Sequence, residues 1–180
     1  MSRVITGYHT VEDRDNADQV EANGPFICVR NDAWLGTGYY FWDTRQHWAH
    51  DWGSKCYVSK QKAYIVCEAQ IQLDERIYDL FGDVMHQEEF AAVFDELDKQ
   101  FPPGKDLFVR HVINYLKKIG AFPYDGIRAA DEPKDVLSVE FGGRKNEKMF
   151  VCQRVQICLI NKNNILLPTF RIIFPEKYVI

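Results

Sequence analysis

The chain lacks both a long apolar run and a strong excess of charge of one sign. Its 180 residues hold 22 Lys and Arg against 26 Asp and Glu, a formal net charge of -4. This acidic balance argues against broad electrostatic capture of nucleic acid, although a local basic patch can still exist on such a protein. No apolar stretch approaches the length of a membrane span, and residues 1–5 do not resemble a signal peptide. We therefore expect a soluble, cytoplasmic protein that has no membrane partner.

The sequence also lacks a paired cysteine framework. Its five cysteines are odd in number and none lies in a Cys-x-x-Cys spacing: Cys28, Cys56, Cys67, Cys152 and Cys158. This pattern is typical of reduced thiols and not of disulfides or a zinc site. His47, His50 and Asp51 have a helical spacing that would suit a metal, but an exposed polar face explains them more simply. We expect no metal.

No repeat, low-complexity tract or Pro/Gly-rich linker divides the chain, so residues 1–180 are predicted to form one domain with a single core. Apolar and aromatic patterning predicts strands at residues 4–9, 38–42, 63–71, 124–129, 150–160 and 170–174. Helical patterning is found at residues 11–23, 44–52, 86–99 and 106–118, and residues 131–148 are predicted to be a long loop. This order predicts an α+β fold with a split sheet.

Two short segments carry the most specific signal. Residues 6–10 read Thr-Gly-Tyr-His-Thr, and residues 34–42 read Trp-Leu-Gly-Thr-Gly-Tyr-Tyr-Phe-Trp. Together they resemble the first two signature elements of ADP-ribosyltransferases of the poly(ADP-ribose) polymerase-like, His-Tyr class. Residues 114–116, 124–128 and 156–161 look like later strands of bacterial members of that superfamily. The resemblance implies antiparallel-rich, split β-sheets around an NAD cleft, with flanking helices.

The resemblance also implies roles for particular side chains. His9 and Tyr40 would grip the nicotinamide half of NAD, which is the substrate that supplies ADP-ribose. Cleavage of the nicotinamide–ribose bond passes through an oxocarbenium-like state, and a neutral His9 can bind a ribose hydroxyl without adding positive charge. The Tyr40 ring would stack on the nicotinamide, with Trp48 or Trp52 as the second ring.

Three smaller residues complete the predicted cofactor-binding set. Gly36 and Gly38 would allow tight turning and a close approach of the backbone to the ligand. Thr10 stands where eukaryotic family members commonly have Gly after the His, and its backbone N–H and C=O can still pair with the nicotinamide amide.

The third family element departs from the best-known pattern, which has a Glu at the start of the fifth strand. Gln156 fits this place best, with Gln153 as the alternative. Glutamine can bind a hydroxyl but cannot act as a general base, so single-unit transfer is favoured over chain elongation. Glu140 or Glu147, in the loop just upstream, could instead deliver a catalytic carboxylate.

The resemblance thus implies a mono-ADP-ribosyltransferase that modifies an intracellular protein or nucleic acid, as a bacterial or phage toxin or a defence effector. A toxin of this kind would need a neutralising antitoxin as partner. A binding module for NAD or ADP-ribose without catalysis, and an NAD glycohydrolase, are the alternatives. Near the loop, a basic cluster would meet phosphates or simply be solvated: Arg144, Lys145, Lys148 and Arg154.

Overall fold

The structure, a computed structural model, describes residues 2–102, 104–131, 138–140 and 148–179. Its strands are β1 (Arg3–Glu12), β2 (Tyr39–Asp43), β3 (Tyr64–Leu73), β4 (Ile77–Asp79), β5 (Gly126–Asp131), β6 (Ser138–Glu140), β7 (Lys148–Phe150), β8 (Arg154–Leu159) and β9 (Arg171–Phe174). Its helices are α1 (Ala17–Asn23), α2 (Gln46–Cys56), α3 (Val84–Gln100) and α4 (Val109–Lys118). The predicted α+β class is confirmed. None of the helices in the described ranges combines the length and apolar character needed to cross a bilayer.

Seven strands form one sheet in the order β4-β5-β8-β2-β1-β3-β9, and β6 pairs with β7 in a separate two-stranded sheet. Every neighbouring pair in the large sheet is antiparallel except β4 with β5. The resemblance implies split sheets around a cleft, whereas in the structure hydrogen bonds connect these seven strands into one sheet. The connection between the two halves is nevertheless narrow.

The narrow point is the contact between β1 and β2. These strands pair only at Gly7 with Asp43 and at Tyr8 with Trp42. Beyond Tyr8, β1 continues to pair with β3 as far as Glu12, whereas β2 turns to β8. The sheet therefore opens between β1 and β2, and it divides into the halves β4-β5-β8-β2 and β1-β3-β9.

Helices and a cluster of core side chains cover the two faces of the sheet. On one face, Phe41, Ile71 and Ile157 are buried in a cluster that spans both halves. On the other face, Ile113 of α4 packs over β5 and β8, and Ala49 of α2 packs over β1 and β2. Because side chains alternate along each strand, consecutive residues of β1 or of β2 at the opening point to opposite faces of the sheet.

Several element bounds differ from the sequence predictions. The strand β1 extends to Glu12 because it pairs with β3 along its whole length, so the helix predicted at residues 11–23 shortens to α1. The helix α2 continues through Gly53 to Cys56. The strand predicted at residues 150–160 is interrupted, and Cys152, with φ of 56°, lies between β7 and β8. The three-residue strand β4 was not predicted.

A buried ion-pair network fixes the end of β2 beside the opening. The guanidinium of Arg128 in β5 donates from Nε to Asp43 Oδ2 at 2.6 Å and from Nη1 to Asp79 at 3.0 Å. The ring of Phe81 covers the Arg128 guanidinium at 4.6 Å. These contacts tie β2, β4 and β5 together on the side of the sheet away from Tyr40.

Candidate functional site

A cavity of about 390 Å³ lies beside the opening between β1 and β2. The described residues of its wall come from β1, β2, β5, β8, α2, the turn that follows α2 and the segment that precedes β2: His9, Thr10, Val11, Phe26, Ile27, Cys28, Arg30, Asp32, Ala33, Trp34, Tyr40, Trp42, Trp52, Cys56, Tyr57, Lys60, Asp131, Arg154 and Gln156. The three residues matched to the family signature, His9, Tyr40 and Gln156, all belong to this wall. Five further aromatic residues line it: Phe26, Trp34, Trp42, Trp52 and Tyr57.

His9 bridges the opening. Its Nδ1 lies 2.8 Å from the carbonyl oxygen of Tyr40, and its Nε2 lies 3.3 Å from the backbone N of Phe26. A carbonyl can only accept and an N–H can only donate, so Nδ1 carries the proton and Nε2 is an acceptor. Burial lowers the pKa of His9 to about 4, with Lys162 acting in the same direction and the Tyr40 carbonyl opposing both. His9 is therefore a neutral acceptor at physiological pH.

Tyr40 contributes its ring to the wall while its hydroxyl supports the adjoining turn. The hydroxyl donates to the Gly36 carbonyl at 2.8 Å and accepts from the Leu35 N–H at 3.1 Å. Burial, followed by the neighbouring Cys158 thiol, raises the pKa of Tyr40, so the phenol stays protonated. The ring is therefore the part of Tyr40 that is free to contact a ligand.

The two glycines of the signature serve the backbone around Tyr40. Gly36 has φ of 90° in the turn that Tyr40 supports, a conformation that L side chains rarely adopt. A Cβ on Gly38 would lie 2.5 Å from Cys158 Sγ and 2.6 Å from the Leu159 carbonyl oxygen. Neither glycine belongs to the cavity wall. In this structure, the close approach of Gly38 is therefore to β8.

Gln156 lies directly opposite Trp42 in the β2–β8 ladder, so both side chains share one face with Tyr40. Gln156 is 8% exposed, and its Oε1 accepts a hydrogen bond from Trp34 Nε1. Trp34 belongs to the segment before β2 and is half-buried. The segment before β2 thus contacts all three residues matched to the family. Phe26 contacts His9, Trp34 contacts Gln156, and the turn at Gly36 contacts Tyr40.

The charged side chains of the wall are mostly paired. Arg154 donates from Nε to Asp131 Oδ1 at 2.6 Å, and Arg30 contacts Asp32 at 2.6 Å. Both carboxylates among the described wall residues are therefore bound to an arginine. Lys60 is also a cation of this wall, and it forms no ion pair with any described residue. The wall carries a small positive excess at Lys60.

The remaining predicted cofactor-binding residues separate into two groups. Thr10 and Trp52 line the cavity, and the Thr10 hydroxyl donates to the Ala49 carbonyl at 3.0 Å. Trp48 does not line it, and its ring packs between Arg45 at 5.5 Å and Arg154 at 5.8 Å. Trp52, 37% exposed and 6.1 Å from the Trp42 ring, is therefore the better placed of the two predicted stacking residues.

The alternatives for the third catalytic position are not brought to the described wall. Gln153 is exposed between β7 and β8. Glu140 has its backbone in β6, and its side chain lies outside the described part of the structure, as does the whole of Glu147. Of the basic cluster, Arg154 is paired with Asp131. Arg144, Lys145 and the Lys148 side chain lie outside the described residues.

Several residues of the site have no distinct signal in the sequence. Phe26 and Trp34 reach His9 and Gln156 from a segment without regular structure, and no local pattern announces such contacts. Asp131 meets Arg154 because these residues are opposite each other in the β5–β8 ladder, which depends on strand register.

Within the described ranges, no group of three or more His, Cys, Asp or Glu is arranged to hold a metal ion.

Comparisons with known proteins add no relative: no family model matches the chain, and no curated protein or solved structure is significantly similar to it.

Proposed function

We propose that the cavity binds NAD and that the protein transfers ADP-ribose from NAD to a macromolecular acceptor. The observation that carries the proposal is the convergence of His9, Tyr40 and Gln156 on one cavity, from three strands far apart in sequence. These are the residues that the resemblance to His-Tyr ADP-ribosyltransferases assigns to NAD. Their convergence supports a ligand site at the opening of the sheet, the arrangement that the resemblance implies.

The wall offers groups that suit the nicotinamide, the ribose and the diphosphate of NAD. Aromatic rings favour a flat, positively charged nicotinamide, and Tyr40 and Trp52 offer such faces. Lys60, which has no ion-pair partner among the described residues, would attract the diphosphate, because an ammonium group binds phosphate oxygens as a point charge. The neutral His9 would accept a hydrogen bond from a ribose hydroxyl at Nε2, in place of the 3.3 Å contact from Phe26.

In the proposed reaction, the bond between nicotinamide and the ribose C1 breaks, and its electron pair leaves with nicotinamide. A nucleophilic atom of the acceptor forms the new bond to C1 and releases its proton. Gln156 cannot take this proton, and the wall carboxylates Asp32 and Asp131 are engaged with arginines. Among the described wall residues no carboxylate is therefore free to take the proton, and we assign it to solvent or to the acceptor's own groups. Such a site favours single transfer over chain elongation.

The test is incubation of the purified protein with NAD labelled in its adenylate part, separately with cell protein, DNA and RNA. We expect label on one class of acceptor and nicotinamide release, both lost in His9→Ala and Tyr40→Ala. Release of free ADP-ribose without labelled acceptor would identify a glycohydrolase. No turnover with any acceptor would contradict transfer.

A second function, NAD or ADP-ribose binding without catalysis, is favoured by one observation. The third signature position is an amide whose oxygen is already bonded to Trp34, so it offers the reaction no carboxylate. This function predicts saturable binding of NAD that depends on His9 and Tyr40 and gives no turnover with any acceptor.

A further inference from the structure

The Gln156 side chain is oriented by its partner. Trp34 Nε1–H can donate a hydrogen bond but has no lone pair to accept one. The end of the amide that meets Trp34 must therefore be the oxygen Oε1, which leaves the NH₂ group at the other end. The choice between the two amide orientations, usually ambiguous, is settled here by the chemistry of the donor.

We propose that Trp34 is a positioning residue that holds the Gln156 amide with its NH₂ group available to the ligand. The inference rests on the proposed function for the identity of that ligand, NAD. In the part of the chain that the structure describes, Gln156 makes its side-chain hydrogen bond to Trp34 and has no acceptor for Nε2. Among the described residues, the fully buried polar side-chain atom without a partner is Trp48 Nε1, so the Gln156 NH₂ group is not sealed from solvent, and a ligand oxygen in the cavity can take the place of water there.

The orientation matters because His9 lines the same cavity wall. The tautomer of His9 makes Nε2 an acceptor that a ligand hydroxyl can use in place of the Phe26 N–H, whereas the oriented Gln156 presents donors. A ribose hydroxyl has one proton to donate and lone pairs to accept with, so it can satisfy one group of each kind. The site is thus matched to a neutral hydroxyl, with His9 and Gln156 in complementary roles.

Replacement of the amide by a carboxylate would reverse this match. In Gln156→Glu, one carboxylate oxygen would accept from Trp34, and the other would present a second acceptor to the cavity that His9 also lines. A single hydroxyl proton cannot serve both acceptors. We therefore expect Gln156→Glu to bind NAD more weakly than the wild-type protein, in contrast to the preference for Glu in the family pattern.

The experiment compares Trp34→Phe with Trp48→Phe by calorimetric titration of NAD. Trp34→Phe removes the donor and frees the amide to rotate, and we expect an affinity loss of about 3- to 10-fold. Trp48→Phe is the matched control. The Trp48 indole N–H is buried without a hydrogen-bond partner among the described residues, and its ring lies outside the cavity wall. Its NAD affinity should stay within about twofold, since no hydrogen bond is lost.

A ligand comparison separates positioning from a general loss of structure. NAD analogues that lack one hydroxyl of the nicotinamide ribose should be titrated into both variants and the wild-type protein. The affinity loss in Trp34→Phe should disappear for the analogue without the hydroxyl that Gln156 binds. An equal loss for NAD and every analogue would mean that Trp34 has a merely structural role, and the proposal would be wrong.

A measurement without NAD keeps this inference distinct from the proposed function. In the wild-type protein, the Trp34 indole N–H should exchange slowly with solvent by NMR, and Gln156→Leu should accelerate that exchange. If wild-type protein binds no NAD, the proposed function fails, while slow exchange lost in Gln156→Leu would still support the oriented amide. Unchanged exchange in Gln156→Leu, or unchanged NAD affinity in Trp34→Phe, would overturn the positioning role.

Discussion

His9 Nδ1 donates a hydrogen bond to the backbone carbonyl of Tyr40 across 2.8 Å, and this bond spans the gap that opens between β1 and β2. The contact joins a side chain of one half of the sheet to the backbone of the other half. It also requires the neutral imidazole to carry its proton on Nδ1, which leaves Nε2 as an acceptor beside the cavity. One hydrogen bond therefore affects both the stability of the opening and the chemistry offered to a ligand.

The first prediction concerns stability against pH. The pKa of His9 is about 4 in the folded protein against 6.5 for an unperturbed histidine. Between these values the unfolded chain binds a proton that the folded protein does not, so stability falls as the pH falls through this window. We expect His9 to account for a loss of about 3 kcal/mol of unfolding free energy between pH 6.5 and pH 4, measured by urea denaturation.

The matched variant for this measurement is His9→Asn. Its amide can still donate to the Tyr40 carbonyl, but it does not titrate. Burial also lowers the pKa of His50, which is present in both proteins and cancels in the comparison. The variant should lose less stability on acidification than the wild-type protein. Equal slopes in the two proteins would show that His9 is already protonated or exposed in this range.

The second prediction separates the Tyr40 ring from its hydroxyl. Tyr40→Phe keeps the ring in the cavity wall but removes the bonds to Leu35 and Gly36. We expect a stability loss of about 1–2 kcal/mol and an NAD affinity within about threefold of wild type, because the stacking face remains. Tyr40→Ala should lose about tenfold or more in affinity. If Tyr40→Phe lost as much NAD affinity as Tyr40→Ala, the hydroxyl would be the ligand-binding group.

The third prediction concerns the ion pairs that hold the end of β2. Arg128→Met leaves the Asp43 carboxylate, whose side chain is 6% exposed, without its charge partner. We expect a loss of about 3–5 kcal/mol in unfolding free energy, the usual cost of breaking a buried pair. The double variant Arg128→Met/Asp43→Leu should recover part of this loss, because it leaves no lone charge at that pair.

The control for the ion-pair prediction is an exposed pair elsewhere in the sheet. Arg171 contacts Glu68 at 2.6 Å, but its side chain is mostly exposed. Arg171→Met should cost no more than about 1 kcal/mol, since solvent screens such pairs. Equal losses in Arg128→Met and Arg171→Met would contradict a special role for the buried network.

The sequence predicts the strands with clear local patterns well. The strands β3 and β9 lie within two residues of their predicted bounds, because their apolar runs are dense. The strand β4 was missed, since three residues carry no periodicity, and its place depends on pairing with β5. The predicted end of β1, at residue 9, is wrong. Val11 and Glu12 have a helical local pattern, but pairing with Ile65 and Tyr64 holds them extended.

The candidate site was predictable only in part, for a similar reason. His9 and Tyr40 are assigned by the resemblance of their two short segments to the family, and Gln156 is assigned because it fits the place of the third family element better than Gln153. The contacts that set hydrogen-bonding character come from Phe26 and Trp34, in a segment whose path is fixed by tertiary packing. No rule of local sequence reports which atom of an amide or an imidazole will face a ligand.

The last prediction uses the protein's own thiols as reporters of ligand binding. Cys28 and Cys56 line the cavity, Cys67 and Cys158 are buried, and Cys152 is exposed. Burial raises the pKa of Cys67 and of Cys158 to about 12, so these two should resist alkylation in the folded protein. Cys152 should react first with iodoacetamide.

Saturating NAD should slow the alkylation of Cys28 and Cys56, because a ligand in the cavity covers both, and should leave the rate at Cys152 unchanged. Peptide mass spectrometry of a labelling time course measures all five sites in one wild-type sample, so Cys152 is an internal control for effects on the reagent. Protection should disappear in Tyr40→Ala, which lacks the stacking ring. If NAD binds and yet leaves Cys28 and Cys56 equally reactive, its site is elsewhere on the molecule; equal slowing at Cys152 would instead indicate a global change in the protein.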